Sequence, residues 1–307
     1  MNFSRRSFLA VTALAAQTRA AGHAMQMHLS CGALGIKASQ REAIDLAAKH
    51  GFDVVDADGK YLGGLSSGEL QDLLGGMEAK KIGWAMAGLP VEFRRDEATF
   101  SAGLADLPGY ARGIGRAGVH SVTTWVSPSS NELTYLANLK LHAARFREIA
   151  RVLDGSGLRL GIEYVAPKTL WAAQRYPFIH SMAEMRELIS EIGQGNVGLV
   201  LDSWHWYHAG DGGADILALR ASDVVSVDLN DAPANVAKDQ MVDGKRELPA
   251  ATGIIDGKTF LQSLKHIGFT GPVRAEPFND AVRRMSPDDA AEAAAEALRR
   301  AFAAAGV

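Results

Sequence analysis

The feature that most constrains the fold is a regular alternation of short apolar runs with longer amphipathic ones. Eight runs are typical of strands, at 27–33, 52–57, 82–88, 119–126, 158–165, 197–203, 224–230 and 272–278. Segments with helical periodicity follow them, at 39–50, 67–80, 99–117, 134–154, 181–192, 213–221, 258–267 and 287–304. Several strands lack polar alternation, as expected when helices cover a parallel sheet. The alternation therefore predicts an α/β fold, a single (β/α)8 barrel.

A doubly wound open sheet is the competing fold for such an alternation. It would usually place a glycine-rich phosphate turn after its first strand. The segment CGALGIKAS at 31–39 does not fit that turn. No Pro/Ser-rich linker divides the chain, so we expect residues 25–307 to form one barrel domain.

The N-terminal segment has the character of an export signal. Arg5 and Arg6 stand in an S-R-R-x-F-L pattern, followed by a short apolar run and by small residues near Ala24. This pattern resembles a twin-arginine signal. The apolar run is shorter than the ~20 residues that a membrane span needs. We therefore predict that residues 1–24 are a signal peptide, that no segment spans a membrane, and that the protein is periplasmic or exported.

Composition limits the partners of the chain. Its formal net charge is −3. Without residues 1–24, which hold three arginines and no acid, 29 basic residues face 35 acidic ones, a net of −6. A mildly acidic chain without a basic tract is a poor match for a nucleic-acid backbone. The single cysteine, Cys31, excludes an intrachain disulfide and a thiolate metal cluster. We expect a small-molecule partner; a homo-oligomer is compatible with the sequence, which does not fix the oligomeric state.

Acidic residues close the last four predicted strands at matching places. They are Glu163, Asp202, Asp228 and Glu276. Barrels of this type keep their active sites at the C-terminal ends of the strands. Residues two positions earlier point to the same face; they are Gly161, Val200, Ser226 and Arg274. Because most of these are small, the pattern predicts room for a site beneath the acids.

A single acid at a strand end is most often a helix cap or a surface residue. Four converging carboxylates are different, because each raises the pKa of the others unless a cation offsets the charge. One divalent metal ion satisfies this need. A set of oxygen ligands favours a hard or borderline ion, Mn²⁺ or Mg²⁺.

Four segments of the chain resemble a known family. They are GIEYVAP, LDSWHWYHAG, VDLNDAP followed by RELPAATGIID, and GFTGPVRAEPF. Together they resemble the xylose isomerase-like barrels, in particular the sugar phosphate isomerases/epimerases, over the chain from about residue 27 to its end. The resemblance implies one divalent cation, bound by Glu163, Asp202 and Glu276 among others. It also implies that His205, three residues after the aspartate, contacts substrate.

The chain departs from this family at one position. Where many members have a metal-binding histidine on the seventh strand, this chain has Asp228. Asp228 would either serve as a fourth, negatively charged ligand or contact substrate beside a metal with three ligands. The nuclease branch uses extra histidines, whereas His120 lies at the start of its strand, and the second strand ends in Asp56 and Asp58. A DNA-repair nuclease is therefore disfavoured.

The resemblance implies a metal-dependent sugar isomerase or epimerase. Glu163 and Glu276 would remove and return a proton next to a carbonyl through an enediolate. We expect an unphosphorylated sugar or keto-sugar, because no glycine-rich loop leads into a helix after strands seven or eight. The alternatives are a metal-dependent lyase, dehydratase or hydrolase acting on keto-sugars or glycosides, and a barrel that binds carbohydrate without catalysis.

Further side chains near the predicted strand ends are candidates for substrate contact. They are His205, Asn230, Asp231 and Arg246. Turn formation is the equal alternative for Asn230 and Asp231. Two of the three aromatic residues Trp204, Trp206 and Tyr207 are expected to pack in the core, and Lys168 and His208 to lie at the surface.

Overall fold

The computed structural model describes residues 24–307; almost all of the predicted signal peptide, residues 1–23, lies outside this part. Eight parallel strands close into a barrel, which confirms the predicted fold. The strands are β1 Gln26–Leu29, β2 Val54–Ala57, β3 Gly83–Gly88, β4 Ser121–Trp125, β5 Arg159–Glu163, β6 Val197–Asp202, β7 Val224–Leu229 and β8 Pro272–Ala275. Each strand pairs with its neighbours in sequence, and β1 closes the barrel on β8.

One main helix follows each strand. The helices are α1 Gln40–His50, α2 Ser67–Lys80, α3 Glu97–Gly115, α4 Tyr135–Asp154, α5 Met182–Ile192, α6 Gly213–Leu217, α7 Gly257–His266 and α8 Pro287–Ala305. Among residues 24–307, none is long and apolar enough to cross a bilayer. The expected helix at 213–221 is shorter than predicted. The Asp223 carboxylate accepts the backbone N–H of Arg220, which starts a separate 3-10 turn at Ala221–Asp223.

Shorter elements lie in the loops that follow the C-terminal ends of the strands. They are the helical turns Cys31–Leu34, Gly59–Gly64, Lys168–Trp171, Ser203–Ala209, Lys238–Gln240 and Asp280–Arg283, and a small antiparallel pair of Ser129–Ser130 with Tyr176–Pro177. These additions make one end of the barrel more elaborate than the other. That end is where βα barrels place their chemistry.

The core lies between the barrel and its helices. Every residue of β6 and β7 is buried, as expected for parallel strands covered on both faces. On α8, Ala291, Ala295, Leu298 and Phe302 recur at helical spacing and are fully buried. The predicted ends of α8 are confirmed, since Ser286 Oγ accepts the N–H of Asp289 and Gly306 takes a left-handed conformation.

The strand register brings the acidic residues to one level of the barrel. Asp202 at the end of β6 is directly paired with Asp228 on β7. Asp228 is in turn paired with Arg274 on β8, two residues before Glu276. Paired residues of adjacent parallel strands point to the same face of the sheet. The backbone alone therefore places these side chains side by side inside the barrel.

Gly161 on β5 lies two residues before Glu163 in a tightly packed part of the barrel. A methyl group at this position would lie 3.0 Å from the Cγ2 atom of Val200 and 3.0 Å from the Cβ atom of Val225. We predict that Gly161→Ala lowers the free energy of unfolding by ~1–3 kcal/mol, the usual cost of overpacking. Urea denaturation measures it. Gly88→Ala is the control, because Gly88 ends β3 in open space; an equal loss in both variants would contradict the packing argument.

Candidate active site

The four strand-end acids converge at the C-terminal end of the barrel. Glu163, Asp202, Asp228 and Glu276 each offer a carboxylate oxygen, and these oxygens lie within 4.8 Å of one another. Asp202 and Asp228 are fully buried, Glu276 is nearly so, and the Glu163 side chain keeps 13% of its surface exposed. Glu163 is therefore the acid that faces the opening of the site.

Asp202 both caps a helix and belongs to the cluster. Its Oδ1 atom accepts the N–H of Trp204 at 2.8 Å, which caps the short helix Ser203–Ala209, and the side-chain amide of Asn230 at 2.8 Å. Its Oδ2 atom faces the other acids and accepts Arg246 Nη1 at 2.7 Å. The two interpretations that the sequence left open for this residue thus hold at once, one for each oxygen.

Two arginines enter the cluster. Arg246, from the loop after β7, donates from Nη1 to both Asp202 and Glu276, at 2.7 and 2.9 Å. Arg274, from β8, donates to both oxygens of Asp228 at 2.6 and 2.7 Å, and to Glu276 at 2.8 Å. The sequence placed Arg274 beneath Glu276 in a layer that is otherwise small, and the side chain of Arg274 does contact Glu276. The pairing of Arg274 with Asp228 on one face was the available signal.

The cluster keeps a negative charge. Four strand-end carboxylates and Asp243, which accepts Arg246 Nη2 at 2.8 Å, face two guanidinium groups, so three negative charges remain when all groups are ionised. Burial and the neighbouring carboxylates raise the pKa of Glu163 well above its usual value. Burial also raises the pKa of Asp202, but Arg246 and the other partners outweigh it, so that this pKa lies below its usual value. Burial also raises the pKa of Glu276, to about 8, so protons in the metal-free cluster reside on Glu163 and Glu276 rather than on Asp202.

His205 presents a hydrogen-bond donor to the cluster. Its Nδ1 atom accepts the backbone N–H of Ala166 at 3.2 Å. Burial lowers the pKa of His205, although Asp202 opposes this shift. The ring is therefore neutral with its hydrogen on Nε2, which lies 3.5 Å from Asp202 Oδ2 and 3.8 Å from Glu163 Oε1. This tautomer is unsuited to bind a metal through Nε2, and it suits the predicted contact with substrate.

Two predicted substrate contacts, Asn230 and Asp231, are held by hydrogen bonds within the protein. Asn230 is buried; it donates to Asp202 and accepts from the Ser203 hydroxyl at 2.9 Å. Asp231 is also buried, and its two oxygens accept four backbone N–H groups, from residues 232, 252, 253 and 255. Asn230 therefore positions Asp202, and Asp231 fixes the loop that carries Arg246.

The aromatic residues after β6 behave mostly as predicted. Trp204 and Trp206 are buried, and Tyr207 is half-buried. Lys168 is exposed and pairs with Asp239, as expected for a surface residue. His208 is not at the surface as predicted: its ring packs on Trp204 with centroids 4.4 Å apart, and burial lowers its pKa to about 4.

A second polar pair lies across the barrel and was missed by the sequence reasoning. His28 on β1 contacts Asp56 on β2, with 2.8 Å between Nε2 and Oδ1. His28 is directly paired in register with Arg274. The histidine within an otherwise apolar strand was the only signal. The pair extends the charged interior from β8 to β2.

The cluster offers the ligands that a divalent cation needs. Glu163 Oε1 is buried and has no hydrogen-bond partner. The residual charge of the cluster is negative, which favours a cation. The donor set fits a hard or borderline metal, because all the acids offer oxygen.

A family model for xylose isomerase-like TIM barrels matches residues 44–301. The chain belongs to this family. The resemblance inferred from its strand-end motifs is thereby confirmed.

Two solved structures have a barrel similar to that of this chain. A xylose isomerase domain protein from Alicyclobacillus acidocaldarius is 32% identical, with a TM-score of 0.81 over 92% of this chain and 100% of that chain. The IOLI protein, whose structure contains a bound zinc atom, is 20% identical, with a TM-score of 0.76 over 92% of this chain and 98% of that chain. The second likeness concerns the fold alone.

Two characterised relatives are enzymes. The inosose isomerase of Bacillus velezensis is 22% identical over 267 residues, 83% of this chain and 89% of that protein. The 3-dehydroshikimate dehydratase of Pseudomonas aeruginosa is 30% identical over 145 residues, 47% of this chain and 21% of that protein. One of these two relatives is thus named as an isomerase and the other as a dehydratase.

The buried charge of Glu163 makes the stability of the metal-free protein depend on pH. Because its pKa is raised in the folded state, the folded chain binds more protons than the unfolded chain above the usual value of 4.5, and stability falls as pH rises. We predict that Glu163→Gln stabilises the chelator-treated protein more at pH 8 than at pH 5. In a chain of this size, a change of ~1 kcal/mol in the free energy of unfolding shifts Tm by ~2–4 °C. Thermal unfolding at both pH values measures it.

The control for this prediction is Glu78→Gln, on the exposed face of α2. It should leave the pH dependence of Tm unchanged. A Glu163→Gln variant that is destabilised equally at both pH values would contradict the prediction. It would show that burial and the neighbouring carboxylates do not destabilise the ionised form of Glu163.

Proposed function

We propose that this protein is a divalent-metal-dependent enzyme that moves a proton next to a carbonyl of a sugar or keto-sugar, as an isomerase or epimerase. The observation that carries this proposal is the pair Glu163 and Glu276, from β5 and β8. Both offer a carboxylate oxygen to one cluster, in which the four oxygens lie within 4.8 Å of one another, so a substrate bound there would meet one carboxylate from β5 and another from β8. Two carboxylates that flank a substrate can remove a proton and return it.

The ion would be held by Glu163, Asp202 and Glu276. These acids present their oxygens to one point, and Glu163 Oε1 has no other partner. The oxygen ligands favour Mn²⁺ or Mg²⁺. When bound, such an ion polarises the substrate carbonyl and stabilises the negative charge of the enediolate. The zinc atom in the IOLI protein structure supports a divalent ion in barrels of this kind.

Different side chains would remove the proton, return it and orient the substrate. Glu163, the acid nearest the opening, removes the proton beside the carbonyl, and Glu276 returns it from the other side. Arg246 and Arg274 hold Glu276 in place through its two oxygens. His205 donates from Nε2 to a substrate oxygen and fixes the orientation of the sugar. Return of the proton to the opposite face gives an epimer, and its return to the neighbouring carbon gives an isomer.

The helix ends near the site support an unphosphorylated substrate. The short helix after β8 is capped by Asn279, whose Oδ1 atom accepts the N–H groups of Ala281 and Val282. Helix α7 is capped by the carboxylate of Asp256. Both N-termini use their backbone N–H groups on their own chain, whereas a phosphate site needs them free. The expected substrate is therefore a free sugar or keto-sugar.

A lyase that eliminates water is the second candidate. The observation in its favour is the Nε2–H group of His205, 3.8 Å from Glu163 Oε1. A base and a hydrogen-bond donor this close can act together in an elimination. The base removes a proton from the carbon next to the carbonyl, and the donor assists the departure of a hydroxyl group at the β position. The likeness to a 3-dehydroshikimate dehydratase supports the same chemistry.

The test is a screen of free sugars and 3-keto-sugars in deuterated water with added Mn²⁺, followed by NMR. We predict deuterium incorporation beside a carbonyl, and a decrease of ~10²–10⁴-fold in Glu163→Gln and in Glu276→Gln. Glu78→Gln, far from the site, is the matched control. Incorporation without loss of mass indicates an isomerase or epimerase, whereas an unsaturated product indicates the lyase.

Two results would overturn the proposal. One is exchange that continues at the same rate in both glutamate variants. The other is exchange that a chelator leaves unchanged, because the proposed chemistry needs the ion.

A further inference from the structure

Asp228 is bound differently from the other three acids. Both of its oxygens are held by one guanidinium group, with Arg274 Nε at 2.6 Å from Oδ1 and Arg274 Nη2 at 2.7 Å from Oδ2. This is the fork geometry in which two parallel charge-assisted hydrogen bonds fix a carboxylate in the plane of an arginine. The Asp228 side chain is fully buried. Its orientation is therefore set by Arg274.

Glu276 also meets arginines through both oxygens, but through one hydrogen bond from each of Arg246 and Arg274 rather than a fork from a single guanidinium group. The two remaining acids are bound more weakly by arginine. Glu163 Oε1 has no hydrogen-bond partner. Asp202 meets an arginine through one oxygen only, and that arginine, Arg246, comes from a loop rather than a strand. Arg274 is part of β8, and its backbone is fixed by pairing with β1 and β7. Of the two arginines, Arg274 is therefore the one whose backbone is held within the barrel.

Charge balance points the same way. On its own, Asp228 would add a negative charge to the cluster. The Asp228–Arg274 pair carries no net charge. The acids left to face an ion are then Glu163, Asp202 and Glu276, with Arg246 beside them.

We infer that Asp228 is not a metal ligand but the anchor of Arg274, and that the ion is held by the three other carboxylates. Arg274 is then a positioning residue: fixed by Asp228, it holds Glu276 through Nη2 at 2.8 Å. A site with three ligands leaves more coordination positions open for the substrate. This inference rests on the proposed function, since it presumes that a divalent ion binds at the cluster.

The test uses two double variants that each remove one acid and its arginine, so that the net charge of the cluster is unchanged. Asp228→Asn/Arg274→Gln removes the inferred anchor pair. Asp202→Asn/Arg246→Gln removes an inferred ligand with its counter-ion. The affinity of each purified protein for Mn²⁺ is measured by calorimetric titration, with the unmodified chain alongside. Circular dichroism shows that the variants are folded.

We expect Asp228→Asn/Arg274→Gln to weaken Mn²⁺ binding by about tenfold at most, and Asp202→Asn/Arg246→Gln to weaken it by at least about a hundredfold. A hundredfold loss in both variants overturns the inference while the proposed function stands. If the unmodified chain binds no ion, or if neither variant binds more weakly, the proposed function itself fails.

Asp228→Asn/Arg274→Gln alters a buried pair and could prevent folding. In that case, crystals of the unmodified protein soaked in Mn²⁺ decide the question through the anomalous signal of the ion. Asp228 oxygens beyond ~3 Å from the ion, still paired with Arg274, support the inference. A distance near ~2.2 Å, as for a direct oxygen ligand, overturns it.

Discussion

The mutual repulsion of four buried carboxylates is the constraint on which the rest of this site depends. Such a cluster is stable only if cations accompany it, because burial removes the water that would otherwise screen the charges. Arg246 and Arg274 supply two of these cations and contact three of the four acids. The negative charge that remains makes the cluster suited to a divalent ion. Burial and the neighbouring carboxylates raise the pKa of Glu163, which neither arginine contacts.

The barrel supplies the precision that this arrangement needs. Asp202, Asp228 and Arg274 are consecutive partners across β6, β7 and β8, so their positions follow from backbone register. Loop residues then fix what register leaves free. Asn230 orients Asp202, and Asp231 uses four backbone hydrogen bonds to shape the loop that carries Arg246. A polar site on rigid strands, adjusted by buried hydrogen bonds, is the arrangement that preorganised chemistry requires.

The sequence predicted the fold and the convergence of the four acids because both follow from periodicity. Strand ends in a parallel barrel meet at one level, so an acid in each of four strand ends must lie near the others. The sequence did not predict what each side chain binds. The alternation of side chains along a strand does not show what Arg274 contacts, because its guanidinium carbon lies five bonds from Cα. The buried hydrogen bonds of Asn230 and Asp231 depend on the path of a long loop. Arg246 was placed among the substrate contacts, yet its guanidinium lies between Asp202 and Glu276.

The most direct measurement of the central claim is the number of protons released when a divalent ion binds. Calorimetric titration of the metal-free protein with Mn²⁺ at pH 7, repeated in buffers of different ionisation enthalpy, gives this number. Because burial raises the pKa of Glu163 well above its usual value and that of Glu276 to about 8, both hold protons at pH 7 in the metal-free state, and we predict one ion per chain with release of between one and two protons. Binding without proton release, or no binding, would contradict the claim that the cluster is a metal site whose acids are protonated when the ion is absent.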